Sequence, residues 1–267
     1  MYTLGIDIGS TTTKCVLLRD GSSLAATSLV RAGIGTGGAA EAFSDVLRSG
    51  GIEAGELAYR VATGYGRKRW AGADGEISEL SAHALGCHFI LPEARTVIDI
   101  GGQDAKVISL DEEGRMSGFV MNDKCAAGTG RFLDVMANIL NIGVEELGRL
   151  AGEAAAPAEI SSTCTVFAES EVISRLAAGA AIPDVAAGIC DSVAARACAL
   201  ARRQGVREKV YMSGGVARNE GVRRAIEREL GVPVATSPLA QLAGALGAAL
   251  YAFMKVSRPA GRDQAAL

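Results

Sequence analysis

The residues of this sequence best suited to chemistry are two aspartates, each followed seven residues later by a lysine. Asp7 and Asp99 each lie in the run Ile-Asp-Ile-Gly, and Lys14 and Lys106 follow the turns after these runs. A carboxylate inside an apolar strand is costly unless it meets a cation, water or hydrogen-bond donors. A Mg²⁺ ion bound to phosphates would supply such a cation. Asp7 and Asp99 are therefore candidates for orienting a metal or an attacking water.

The turn after each acid is suited to binding an oxyanion. Glycine allows the backbone to approach a ligand closely, and amides and hydroxyls donate to phosphate. One copy alone is more typical of an ordinary hairpin whose acid caps the turn, but the repetition favours nucleotide binding. The predicted phosphate-binding residues are Gly9, Ser10, Thr11, Thr12, Thr13 and Lys14 in the first turn and Gly101, Gly102, Gln103 and Asp104 in the second, with Gln103 also a catalytic candidate.

The two acidic runs are 92 residues apart, which indicates duplication of a whole domain rather than a short repeat. Hydrophobic periodicity predicts mixed α/β structure in which each copy opens as an antiparallel meander. Strands are predicted at 2–9, 13–19, 24–31, 58–62, 95–100, 105–110, 117–121 and 208–213. Helices are predicted at 39–49, 77–88, 130–140, 144–151, 169–178, 184–204, 216–230 and 239–254.

The domain boundary is predicted near Pro92 and Glu93. The predicted first domain is 1–93, with helix 239–254 as a candidate addition, the second is 94–254, and 255–267 is a loose tail. Two like domains, each presenting an acid and a glycine turn at a strand end, suggest a ligand held in the cleft between them.

Two further glycine-rich stretches could contact a nucleotide. The strand before Ser213 runs into Gly214 and Gly215, and a helix follows, so a flat ring or sugar could lie against bare backbone. The stretch 33–38 matches the pattern GxGxxG of dinucleotide-binding proteins. Its preceding strand is polar and is the third of a meander, so we do not interpret this stretch as a nicotinamide or flavin site.

Composition excludes several classes of function. The net charge of −3 provides no basic field for nucleic acid or anionic lipid. The chain starts almost directly in a strand, without a signal-peptide pattern, and its most apolar late run, 242–254, is too short to span a bilayer. We therefore expect a soluble, cytoplasmic protein that binds neither nucleic acid nor membranes.

The six cysteines fall into two groups. Four lie in apolar or helical contexts and are predicted to be buried in the core as small apolar side chains: Cys15, Cys87, Cys190 and Cys198. Cys125 and Cys164 instead lie beside polar residues near predicted helix N-termini, where the helix dipole stabilises anionic sulfur and lowers a thiol pKa. Spacing alone does not predict a metal site, because no CxxC occurs and two thiolates cannot hold a four-iron cubane. His83 and His88 are interpreted as packing or surface residues.

The long patterns of the sequence resemble a known family. The segments 6–14, 98–106 and 213–219 resemble the actin, sugar-kinase and Hsp70 ATPase superfamily. More narrowly, the segments Asn122 to Ala137 and Ser161 to Ser174 resemble the ATPase activator components of 2-hydroxyacyl-CoA dehydratases and the related benzoyl-CoA reductase subunits. The resemblance covers about residues 2–254. It implies an α/β fold of two ribonuclease-H-like domains with a nucleotide cleft between them.

The resemblance also implies a site and a reaction. Cys125 and Cys164 would bind one [4Fe–4S] cluster shared across a homodimer. The implied ATP or ADP site, with Mg²⁺ at Asp7 and Asp99, also includes Gly130, Gly214, Gly215, Arg218 and Gln241. Reduced ferredoxin or flavodoxin would be the donor, and a 2-hydroxyacyl-CoA dehydratase component, which alone binds the acyl-CoA, would receive the low-potential electron. Two alternatives stay open: a small-molecule kinase and a non-redox ATP switch of the same superfold.

Overall fold

The computed structural model describes residues 1–122, 125–160 and 164–257, which form two compact α/β units. Of these described residues, the first unit comprises 1–93, 110–116 and 242–257, and the second comprises those within 94–109 and 117–241. The strands are β1 (Tyr2–Ile8), β2 (Thr13–Arg19), β3 (Ser23–Val30), β4 (Leu57–Thr63), β5 (Gly75–Glu76), β6 (Thr96–Ile100), β7 (Ala105–Leu110), β8 (Met116–Asn122), β9 (Val210–Ser213) and β10 (Val234–Ala235).

Eight α-helices and four short 3₁₀ helices accompany these strands in the described ranges. The α-helices are α1 (Gly38–Gly50), α2 (Glu79–Ile90), α3 (Gly130–Ile139), α4 (Glu146–Ala151), α5 (Thr165–Ala177), α6 (Ile182–Gln204), α7 (Glu220–Leu230) and α8 (Ala243–Ser257). The 3₁₀ helices are Ala54–Glu56, Arg67–Arg69, Gly215–Arg218 and Ala240–Leu242. None of the helices in these ranges has the length and apolar character needed to cross a bilayer.

The two units share one sheet topology. The strand order is β3-β2-β1-β4-β5 in the first sheet and, read from the other edge, β8-β7-β6-β9-β10 in the second. The opening strand of each sheet pairs antiparallel with the next strand and parallel with the fourth. The repeat seen around Asp7 and Asp99 is therefore a duplication of the whole five-stranded arrangement.

Alternation along β2 builds the core of the first unit on both faces of its sheet. Cys15 and Leu17 belong to the cluster that packs on α1, whereas Val16 and Leu18 pack on α8. On the second face, α2 and α8 approach each other closely at Gly86 and Gly247. Only glycine permits this approach, because a Cβ at either position would overlap the backbone of the facing helix. Alternate side chains of β2 are thus buried on opposite faces, which is the pattern expected of a strand in the interior of a sheet with both faces covered.

Most sequence-predicted elements are confirmed, and the differences lie at helix ends and in two short strands. The predicted helix 216–230 is divided: residues Gly215–Arg218 form a 3₁₀ turn, and α7 begins only after Asn219, whose side chain accepts a hydrogen bond from Val222 N–H at 3.0 Å. Similarly, a 3₁₀ turn precedes α8, which continues to Ser257. The two-residue strands β5 and β10 were not predicted, because so short a run carries no periodicity.

Two predicted features lie partly outside the described residues. Residues 258–267 belong to the predicted tail, and α8 includes the first three residues of that tail. Residues 123–124 and 161–163 belong to the two cysteine-containing segments. Cys125 and Cys164 themselves are described.

Candidate functional site

The first acid lies at the end of β1 and pairs with the lysine across the hairpin. Asp7 and Lys14 are opposite each other in the β1–β2 register, and Lys14 Nζ lies 3.1 Å from Asp7 Oδ2. The turn between them closes with a hydrogen bond of 3.0 Å from Gly9 N–H to the Thr12 carbonyl. Asp7 is 4% exposed, so this carboxylate is held almost out of solvent.

The second unit repeats this geometry with an additional acid. Asp99 and Lys106 are opposite in the β6–β7 register, with Lys106 Nζ 3.2 Å from Asp99 Oδ2. The ammonium also lies 2.9 Å from Asp104 Oδ2. The turn closes through Gly101 N–H and the Asp104 carbonyl at 2.9 Å. Lys106 is thus buried between two carboxylates.

A glycine-containing loop lies against each turn. Ile34 N–H donates to the Gly9 carbonyl at 2.9 Å, and Gly130 N–H donates to the Gly101 carbonyl at the same distance. A Cβ at Gly33 would overlap the Ser10 carbonyl group. The GxGxxG match at 33–38 therefore has a structural use, which is close backbone packing against the first turn.

Four residues of the predicted nucleotide site lie together in the second unit. Gly214, at φ +84°, follows β9 and donates its N–H to the Ala240 carbonyl at 3.1 Å. Gln241 Nε2 lies 3.5 Å from the position that a Cβ on Gly215 would occupy. Gly215 and Arg218 are exposed, and Gln241 is half-buried. This part of the second unit can present bare backbone and an amide side chain to a ligand.

Two of the predicted phosphate-binding residues differ in how their side chains are used. The Thr13 hydroxyl donates to the Ala32 carbonyl at 2.8 Å and is fully buried. Gln103 is exposed at the tip of the second turn. The Thr13 hydroxyl therefore anchors the first turn to the loop after β3, whereas the Gln103 side chain of the second turn faces solvent.

The structure brings residues to Asp7 that sequence reasoning missed. Thr63 is opposite Asp7 in the β1–β4 register, and a Cβ at Gly64 would overlap Asp7 Oδ1. A Cβ at Gly244 would lie 3.2 Å from Asp7 Oδ2 and 2.9 Å from Nε2 of the buried His83. The sequence did contain a signal for Thr63 and Gly64. A hydroxyl residue followed by glycine at a strand end occurs there and again at Ser213 and Gly214.

The predicted burial of four cysteines is confirmed. Cys15, Cys87, Cys190 and Cys198 are buried, whereas Cys125 and Cys164 are half-buried. Burial raises the pKa of Cys190 and of Cys198 to about 12, and these thiols are therefore protonated at neutral pH. Cys164 is the N-cap residue of α5, which begins at Thr165, four residues before the predicted start.

Helix α5 carries exposed apolar side chains next to Cys164. Val166 and Phe167 are 67% and 65% exposed, and Ile173 is 51% exposed. Ala168 and Val172, on another face of the helix, are buried. In the described ranges, no group of three or more His, Cys, Asp or Glu side chains is arranged to hold a metal ion.

Comparison with known proteins places these features in a family. The (R)-2-hydroxyglutaryl-CoA dehydratase activating ATPase of Acidaminococcus fermentans is 56% identical over 97% of this chain and 99% of its own length. The solved activator of the 2-hydroxyisocaproyl-CoA dehydratase from Clostridium difficile, with bound ADPNP, has a TM-score of 0.95 and 51% identity, with full coverage of both chains.

More distant structures share the fold alone. The ROK family glucokinase from Streptomyces griseus, solved in complex with glucose and AMPPNP, has a TM-score of 0.60 at 14% identity, covering 95% of this chain and all of its own. The predicted α/β fold of the actin and Hsp70 ATPase type is confirmed. The sequence model of the BadF/BadG/BcrA/BcrD ATPase family matches residues 4–252, and this chain therefore belongs to that family.

Proposed function

We propose that this protein is an ATP-hydrolysing activator that transfers a low-potential electron to a 2-hydroxyacyl-CoA dehydratase component. The observation that carries this proposal is the 56% identity, over nearly the whole chain, to an activating ATPase of such a dehydratase. In this proposal the duplicated acid, turn and lysine form the ATP site. The two half-buried cysteines are the ligands of the redox cluster.

The two turns would hold the phosphates of ATP or ADP. In each turn the closing hydrogen bond draws the chain into a tight loop, which leaves further backbone amides to donate to an oxyanion. Asp7 and Asp99 would orient the metal or the attacking water, and Gln103 is a further catalytic candidate. The nucleoside would contact Gly214, Gly215, Arg218 and Gln241, while Gly130 supports the second turn through its hydrogen bond to Gly101.

The residues present fit a magnesium ion at the phosphates. Asp7 is nearly buried and accepts one hydrogen bond among the described residues, from Lys14, so its carboxylate retains acceptor capacity. Asp99 is the matching candidate of the second unit. Mg²⁺ usually keeps several waters and binds through one or two carboxylates together with substrate phosphates, whose charge it neutralises.

The residues present also fit a cluster shared between two copies of the chain. A [4Fe–4S] cubane takes four cysteine ligands and would supply a one-electron carrier of low potential. Each chain offers two half-buried cysteines: Cys164 is the N-cap of α5, and Cys125 lies in the loop that precedes α3. The exposed apolar side chains of α5 next to Cys164 give a homodimer a surface to bury. Reduced ferredoxin or flavodoxin would be the electron donor.

Iron and sulfide analysis after anaerobic purification tests the redox part. The wild type is expected to be brown, with about four irons per dimer. Cys125→Ser should lose the iron and the visible absorption, because one of two ligands per chain is removed. Cys198→Ala, which changes a buried cysteine of α6, should retain both.

ATP hydrolysis is measured on the same preparations. A colourless wild type that still hydrolyses ATP would contradict the electron-transfer part of the proposal and leave the ATPase part standing. A Cys198→Ala variant that loses iron together with Cys125→Ser would show that the loss reflects folding rather than ligation.

A further inference from the structure

Helix α6 supports the segment that leads to Cys164. The Asp184 carboxylate lies in the first turn of α6, and its Oδ1 accepts hydrogen bonds from Ala155 N–H at 2.8 Å and from Ala156 N–H at 2.9 Å. In the other direction, Ala158 N–H donates to the Asp184 carbonyl at 2.9 Å. One residue of α6 therefore holds the backbone of 155–158, which ends six residues before the cysteine.

A glycine one turn further along α6 brings the same segment against the helix. A Cβ at Gly188 would overlap the Ala158 carbonyl oxygen and would lie 3.0 Å from Cγ1 of Ile160. Ile160 is 8% exposed and precedes Cys164 by four residues. The chain is therefore hydrogen-bonded to α6 and packed on it until shortly before this cysteine.

The loop that follows Cys125 also lies on α6. Gly128, three residues after Cys125, adopts φ +85°, and a Cβ there would lie 2.9 Å from Cδ and 3.0 Å from Cβ of Arg196. The Thr129 hydroxyl closes the loop by donating to the Ala126 carbonyl at 2.6 Å. Three residues of chain span at most about 11 Å. The Arg196 stem therefore packs against backbone that is close to Cys125.

Arg196 brings a donor without a partner to this loop. The side chain is half-buried, and its Nε is buried with no hydrogen-bond partner among the described residues. Leaving a buried donor unsatisfied is destabilising, and a guanidinium stays charged at any ordinary pH. A cubane held by four thiolates is an anion whose potential depends on net charge and nearby donors. A cation at this position is therefore suited to an anionic group bound at the cysteines.

We propose that Asp184 and Arg196 are positioning residues for the cluster. Asp184 fixes the segment that leads to Cys164, and Arg196 supports the Cys125 loop and adds a positive charge next to it. The two supports are twelve residues apart on one helix, about 18 Å along its axis. A single rigid element of each chain thereby sets the placement of both cysteine ligands. This inference rests on the proposed redox function and deepens it.

Anaerobic release of iron to a coloured chelator tests the role of Asp184. Asp184→Ala leaves two backbone N–H groups without their acceptor, and it should release iron about tenfold faster than the wild type, the factor expected for one lost hydrogen bond to a charged group. Asp184→Asn keeps an oxygen acceptor and should recover most of the wild-type rate. Asp191→Ala is the matched control, because Asp191 is an acid of the same helix that pairs with Arg228 of α7. It should release iron at the wild-type rate.

A redox titration followed by electron paramagnetic resonance tests the role of Arg196. Arg196→Met keeps an unbranched stem against Gly128 and removes the charge. The reduction potential should fall, because a nearby positive charge favours the more negative, reduced state. Arg196→Lys keeps the charge and should stay closer to the wild-type potential. Arg202→Ala is the control, because it removes another arginine of α6, one that pairs with Glu229, and it should leave the potential unchanged.

Wild-type iron release in Asp184→Ala or a wild-type potential in Arg196→Met would overturn the inference and leave the proposed function standing. Control variants that match the test variants would also overturn it, because the effects would then follow general stability or net charge. A wild-type protein that holds no iron would overturn the proposed redox function and the inference with it.

Discussion

At the residue scale, the two buried acid–lysine pairs show how similar sequences acquire different environments. Asp7 and Asp99 occupy the same strand position and face a lysine at nearly the same distance. Only Lys106 also contacts a second carboxylate, that of Asp104, and only Asp99 accepts a hydroxyl hydrogen bond, which comes from Ser213. Removing one partner of a buried ion pair strongly destabilises a protein. We therefore expect substitutions of the residues that bond to Asp99 to lower the free energy of unfolding.

Ser213→Ala is expected to lower the free energy of unfolding by about 1–3 kcal/mol, since it leaves a buried carboxylate oxygen without its hydroxyl donor. Urea unfolding of the wild type and the variant measures this difference. Ser257→Ala provides a control, because the exposed Ser257 hydroxyl donates to the Phe253 carbonyl within the last turn of α8. Equal stability of Ser213→Ala and the wild type would contradict the argument that this hydroxyl holds Asp99.

At the element scale, short caps and turns decide where the helices near the site begin. Gly214 adopts φ +84°, a 3₁₀ turn follows, and Asn219 is extended at φ −88° and ψ 101° before α7 starts. The Asn219 side chain takes the hydrogen bond that the first turn of α7 would otherwise leave unmade. The cap therefore separates the 3₁₀ turn carrying Gly215 and Arg218 from the packed helix behind it.

Asn219→Ala is expected to destabilise the protein by about 1 kcal/mol, the usual effect of losing a side-chain N-cap. Arg224→Ala on the same helix is the control. Arg224 forms an exposed ion pair with Glu220, and its loss should cost less than about 0.5 kcal/mol. Thermal or urea unfolding distinguishes the two, and an Arg224→Ala effect as large as that of Asn219→Ala would contradict the assignment.

At the scale of the whole molecule, the cluster proposed above would need a second copy of the chain. The two half-buried cysteines of one chain would supply half of the four ligands of a cubane. Helix α5, which begins directly after Cys164, exposes Val166, Phe167 and Ile173. Exposed apolar side chains that lie together commonly mark an interaction surface.

Phe167→Ser is expected to shift the protein from dimer to monomer and to reduce its iron content, because the proposed interface loses a large apolar side chain. Light scattering coupled to anaerobic size-exclusion chromatography measures the mass. Phe89→Ser is the control, since Phe89 of α2 is also partly exposed, at 40%, but lies in the first unit. A dimer that persists in Phe167→Ser with full iron would contradict the proposed use of α5.

The sequence alone determined the duplication, the strands that carry Asp7 and Asp99, and the burial of four of the six cysteines. Each of these follows from local information: periodicity fixes a strand, and apolar neighbours fix the burial of a cysteine. Only the tertiary structure decided what lies beside each acid. Thr63, Gly64 and Gly244 reach Asp7 from other elements, and no local pattern encodes contacts made over such separations in the chain. The difference between Asp7 and Asp99 arises in the same way, because hydrogen bonds to a buried carboxylate depend on which side chains the packing of the sheet brings within reach.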